Sequence, residues 1–94
     1  MRMNYVPFSY VFEMAKYIDM DSGKMFFATA SVDDITSFFM GSIYYDRYKM
    51  VRWMLDRSES WPNEIWTEDF FDSLDQTCLQ VEENETSKFV RRVL

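Results

Sequence analysis

Thr77-Cys78-Leu79-Gln80-Val81-Glu82-Glu83-Asn84-Glu85-Thr86-Ser87-Lys88-Phe89-Val90-Arg91-Arg92-Val93 is the stretch whose reading decides the fold class. From Thr77 to Glu82 the residues alternate, which places Leu79 and Val81 on one face of an extended strand. Asn84-Glu85-Thr86 reads as a turn, because an Asn side chain hydrogen-bonds the nearby backbone and tolerates a left-handed conformation. Lys88 to Val93 supplies a second strand, so the stretch predicts a C-terminal hairpin. Met25-Phe26-Phe27-Ala28-Thr29-Ala30 adds a buried strand, being too short for a helix before the start signal that follows it. The predicted class is therefore α+β. Residues 1–94 form one domain, with about three helices packed on a small antiparallel sheet that includes the hairpin.

The helices are read outward from there. Thr67 caps a short helix whose first turn holds Glu68 and Asp69, with Phe70, Phe71 and Leu74 inward. Ser58 to Asn63 is a loop around Trp61-Pro62. Tyr44, Tyr48, Val51 and Leu55 recur at helical spacing and predict a helix over 43–57 with those four residues inward. Met50 and Met54 broaden the stripe. Ser31 with Asp34 resembles a capping box and starts a helix with Ile35, Phe38, Phe39 and Ser42 on one face; Gly41-Ser42 ends or kinks it. Asp19 to Lys24 reads as a turn, rich in Asp, Ser and Gly. Residues 8–20 admit two readings. One is a helix opened by Pro7, with Phe8, Val11, Phe12, Ala15 and Ile18 on its stripe; the other is a strand through 9–18. Glu13 and Lys16 fall off the helical stripe, which favours the helix.

Composition bounds the rest. Hydrophobic residues make up 48% of the 94, enough for one modest core without disulfides. Nine Phe, six Tyr, three Trp and eight Met exceed what so small an interior holds, so some must reach the surface, where such clusters mark contacts. Cys78 is the sole cysteine and is expected to be a buried small hydrophobe. No stretch reads as a signal peptide and no apolar run is long enough to span a bilayer, so a cytoplasmic location is expected.

Missing residue types exclude chemistry. With no histidine, Ser-His and Cys-His pairs and ordinary zinc sites cannot be built. Two glycines form neither a GxxxxGK[ST] nor a GxGxxG loop. Asp19-x-Asp21-x-Gly23 fails as a calcium loop: its Gly falls fifth rather than sixth, and the twelfth residue is Ala30 rather than Glu. No cofactor, no metal site and no enzymatic activity are expected.

What remains is charge. Residues 51–86 carry ten acids against Arg52 and Arg57, whereas residues 1–50 are nearly neutral. Glu64, Glu68, Asp72 and Asp75 follow helical spacing, and the last three share one helix face and form a negative ridge, Glu64 falling before the helix start at Thr67. These four, with Asp69, Trp61 and Trp66, are the candidate partner-binding residues. A ridge of fixed carboxylates can stand in for phosphates in an Arg/Lys-lined groove, with the aromatics as desolvated anchors. The expected partner is a basic protein surface, such as that of a nucleic-acid enzyme, rather than nucleic acid or membrane directly. Two alternatives stay open. The ridge can be a merely solubilising face, and the Phe/Met/Tyr surplus can form a homodimer interface in a structural or antitoxin-like module.

In size, acidity, cysteine poverty and aromatic excess the chain resembles the small inhibitors that phages deploy against host defence or transcription, including anti-restriction and anti-CRISPR proteins. Many of these occupy the nucleic-acid groove of a host enzyme, some as dimers. The resemblance implies a non-enzymatic nucleic-acid mimic acting in the host cytoplasm.

Overall fold

The computed structural model describes residues 9–94. Six α-helices occur among them: α1 (Tyr10–Met14), α2 (Met20–Thr29), α3 (Val32–Tyr44), α4 (Tyr48–Leu55), α5 (Glu68–Gln80) and α6 (Glu85–Val93). Two 3₁₀ turns, Ser58–Ser60 and Asn63–Ile65, lie between α4 and α5. Five of the six helices begin on a capping side chain. Ser9 accepts from the amide of Phe12 at 3.0 Å, Asp19 from Ser22 at 2.7 Å, and Ser31 from Asp34 at 3.2 Å. Thr67 accepts from Phe70 at 3.2 Å and Asn84 from Ser87 at 2.8 Å. Each bond satisfies one of the four amides that a helix start leaves without an internal partner.

There is no strand among the described residues, so the expected α+β class and its antiparallel sheet are overturned: the fold is all-α. The expected C-terminal hairpin is the end of α5, a tight turn and α6. Its alternating segment also fits a helix, because Leu74, Thr77, Cys78 and Val81 follow i, i+3, i+4, i+7 spacing. The first three are buried and Val81 is half-buried, while Leu79, the expected inward strand residue, is 67% exposed. Glu82 and Glu83 make the turn in left-handed conformations, with φ 52° and 58°. Asn84 then caps a helix instead of closing a hairpin.

Met25–Ala30 is corrected in the same way. All but Ala30 belong to α2, and Met25 is 73% exposed. The Asp-Ser chemistry read as a turn at residues 19–24 is the cap and first turns of this helix, because the same side-chain-to-backbone bond serves both. Gly23 is buried and not in a left-handed conformation. It allows close approach, since a Cβ there would meet Met50 Sδ at 2.8 Å and Phe38 Cζ at 3.3 Å.

The helix expected over 43–57 is divided by a corner. α3 runs through Gly41-Ser42 to Tyr44, the chain turns at Asp46 with φ 57°, and α4 begins at Tyr48. Val51 and Leu55 face inward as expected, together with Met50 and Met54. Tyr44 and Tyr48 do not, being 37% and 36% exposed. Tyr48 instead packs edge-on against Phe89 of α6, with ring centroids 5.2 Å apart. Gly41 ends nothing. It lets α1 press against α3, where a Cβ would collide with the Phe12 carbonyl oxygen and sit 3.0 Å from Ala15 Cβ. Within residues 9–18 the helical reading holds for Tyr10–Met14, and residues 15–17 form a turn; Phe12 and Ala15 are buried and Val11 and Ile18 half-buried. Pro7 and Phe8 lie outside the described residues.

α3 is the central element. Every residue from Ser37 to Ile43 is buried, and α1, α4, α5 and α6 all pack on it. Phe12, Phe38, Phe39, Met40, Met50, Met54 and Phe70 fill the core, which absorbs much of the Phe and Met surplus. No helix among the described residues is long and apolar enough to cross a membrane.

Polar bonds fasten the corner. Arg47 Nη1 donates to the Ala15 carbonyl at 2.6 Å and Nη2 to that of Ile18 at 2.7 Å. Asn84 Nδ2 donates to the Ile43 carbonyl at 2.9 Å. Asp46 Oδ1 accepts from the Thr86 amide at 3.1 Å and from its hydroxyl at 2.7 Å. Thr86 is fully buried, so removing that acceptor strands two buried donors. Asp46→Ala is therefore expected to cost about 1–3 kcal/mol in urea denaturation. Asp46→Asn keeps both the acceptor and the tolerance for positive φ, and is expected to cost under about 1 kcal/mol. Equal losses in the two variants would contradict the role given to the carbonyl-type oxygen.

Candidate functional site

α5 positions the acidic residues. Its core face consists of Phe70, Leu74, Thr77 and Cys78, all buried. With that face turned inward, Glu68, Asp72, Asp75 and Leu79 fall within about 60° of one another on the opposite side, at 3.6 residues per turn. All four are exposed. Asp69, also exposed, lies about 100° round the helix from Glu68. Glu64 is exposed on the second 3₁₀ turn, ahead of the helix. The structure thus brings Glu68, Asp72 and Asp75 onto one stripe and leaves Asp69 and Glu64 on its margins.

The two tryptophans are placed differently. Trp61 is only 4% exposed and belongs to the core. It stacks nearly parallel on Trp66, with ring centroids 5.2 Å apart and planes 8° from parallel. Trp66 is half-buried, meets Phe70 edge-on at 5.3 Å and overlaps Phe71 at 6.2 Å. Trp66 therefore braces the start of α5, while the apolar groups that reach solvent beside the acids are Phe71, 40% exposed, and Leu79. The sequence pattern places Phe71 inward and Leu79 on a strand face, whereas both are exposed on α5. The signal that places them is the helical wheel, once α5 is allowed to run the full distance to Gln80.

Among the described residues, no carboxylate on α5 forms an ion pair; Arg91 and Glu83, 3.5 Å apart, do. No three acidic or cysteine side chains converge as a metal site among those residues. The exposed stripe therefore offers uncompensated negative charge and two apolar contacts. Such a stripe can attract and orient a cationic surface, and its carboxylates are free to accept paired bonds from guanidinium groups.

Three titratable groups are displaced. The hydrogen bond accepted from the Ser22 amide holds the Asp19 carboxyl below its ordinary value. Burial, reinforced by the hydrogen bond its hydroxyl donates to Glu13 at 2.7 Å, pushes Tyr45 up to about 12. Burial likewise raises the Cys78 thiol. A scan of protein-family models, a search of curated proteins and a search of solved structures each return nothing that matches this chain.

Cys78 yields a direct test, because burial disfavours the thiolate and the thiolate is the reactive form. At pH 8 the native protein should react with iodoacetamide at least about tenfold more slowly than an exposed thiol. Labelling should become fast once denaturant opens the core. Rapid labelling of the folded protein would contradict both the burial and the raised thiol.

Proposed function

We propose that this chain is a non-enzymatic binding protein that docks the solvent face of α5 on a basic surface of a nucleic-acid-handling protein, as a small inhibitor or regulator. The observation that carries this reading is the stripe of Glu68, Asp72 and Asp75, exposed on one rigid helix and unpaired among the described residues. Successive carboxylates along it are separated by about 6 Å and about 4.5 Å of helical rise. That spacing resembles a line of backbone phosphates closely enough to engage side chains built to hold them. Phe71 and Leu79 take the anchoring part that the tryptophans were expected to play, since apolar groups desolvated at an interface centre carry much of the binding energy. On this reading the protein acts in the cytoplasm of a host cell.

A specific observation also favours self-association. Tyr10 and Tyr17 are 81% and 78% exposed and border, with Glu13, Met14 and Ile18, a shallow, mainly apolar hollow of about 330 Å³ at α1 and the turn after it. Apolar pairing there would be insensitive to salt, whereas docking through α5 weakens as salt screens the charges.

Charge reversal tests the leading reading. The triple variant Glu68→Lys, Asp72→Lys, Asp75→Lys should fold, each exposed change costing within about 0.5 kcal/mol, with the largest cost at Glu68 because it sits at the positive end of α5. Its affinity for the partner isolated from the native host should fall by about a hundredfold or more, since close charge pairs at interfaces couple by ~1.5–7 kcal/mol. A folded triple variant that binds as tightly as wild type would falsify docking through α5.

A further inference from the structure

Away from α5, a groove of about 440 Å³ opens beside α2, α4 and the first 3₁₀ turn, lined by Lys24, Phe27, Trp53, Arg57, Ser60 and Trp61 among others. Three observations mark it out in a chain of net charge −6. The first is a concentration of cations. The Arg57 guanidinium carbon lies 4.3 Å from the centre of the Trp53 ring, and Lys24 Nζ lies 5.6 Å from the same centre. Neither forms an ion pair among the described residues, and residues 1–8 contain no Asp or Glu to supply one. The second is readiness. Arg57 Nη1 donates to the Trp53 carbonyl at 3.2 Å, which holds the guanidinium over the ring and leaves most of its five donors unused. The third is an orphaned donor. Trp61, which lines the groove, carries a buried Nε1–H with no acceptor among the described residues. Buried indole N–H groups ordinarily find a partner.

We infer that this groove binds a mononucleotide, with the base against the aromatic wall of Phe27, Trp53 and Trp61 and the phosphate held by Lys24 and Arg57. The volume falls in the range of small-molecule sites, ~300–1,000 Å³, and the lining has their composition: mostly aromatic and apolar, with few polar groups. A phosphomonoester carries about −1.5 to −2 charges at neutral pH, which two unpaired cations match. Aromatic faces and guanidinium planes are the surfaces on which unpaired bases stack. A single nucleotide fits better than a polymer. The acidic second half of the chain, with ten acids against two bases over residues 51–86, would repel a continuing backbone.

The test is a titration of the full chain at low salt with AMP, adenosine and inorganic phosphate, read by tryptophan fluorescence and calorimetry. AMP should bind saturably at one site per chain. Adenosine and phosphate should each bind at least about tenfold more weakly, because each lacks half of the recognised group. Lys24→Ala with Arg57→Ala should weaken AMP at least about tenfold while circular dichroism and melting stay unchanged. The charge reversals on α5 should leave AMP binding no weaker than in wild type, which separates this site from the docking face. In an ¹⁵N spectrum the Trp61 indole N–H should shift on adding AMP. Adenosine binding as well as AMP, phosphate binding as well as AMP, no saturable AMP binding, or undiminished binding in the double variant would each overturn the assignment.

Discussion

The corner between α3 and α4 holds the two ends of the described chain together. Asp46 turns the backbone through a left-handed conformation, which Asp tolerates better than most residues, and its carboxylate then bonds the first turn of α6. Arg47, the next residue, gives its guanidinium to two carbonyls beyond α1. The acid thus meets a helix start, in the orientation that the dipole of α6 favours. Charge-assisted bonds of this kind are stronger than neutral ones. They place α1 and α6 against α3, whose middle is consequently buried on every side.

Most of the Phe and Met side chains are drawn into that core, and the surface is left mainly to charged side chains and tyrosines. α5 packs Phe70, Leu74 and Cys78 inward and turns its acids out, so a partner can approach without disturbing the core. Trp61 joins the two surfaces of interest. It packs against Phe27 and lines the cationic groove, and it stacks on Trp66, which in turn overlaps Phe71 beside the acidic stripe. Both surfaces rest on the same rigid aromatic stack.

The helix starts at Ser31 and Thr67 were legible because a capping residue preceded a clear helical stripe. Asp19 and Asn84 were not, although they do the same work. Their side chains satisfy a turn and a helix start equally well, and the choice fell to short downstream runs rich in Phe, Thr and Val. Local β preference there is outweighed by packing on α3: Thr86, Ser87 and Val90 are buried only in the helical arrangement of α6. The break at Asp46 was hidden for another reason. Tyr44 and Tyr48 continue the helical period, yet their partners are Phe12 of α1 and Phe89 of α6, distant in sequence, which no local pattern reveals. The acidic stripe itself was legible because spacing along α5 alone determines which acids share a face. The groove was not, since Lys24, Trp53, Arg57 and Trp61 meet only through tertiary packing.

Docking through α5 is tested most directly by the rate at which the chain associates with its native partner as salt is raised. Charges steer encounter over about a Debye length, ~10 Å at 0.1 M salt and ~3 Å at 1 M. The association rate of the wild-type protein should therefore fall steeply across that range, with a much smaller change in the rate of dissociation. An association rate that stays constant across the same range would contradict an electrostatic docking face and leave apolar pairing through Tyr10 and Tyr17 in its place.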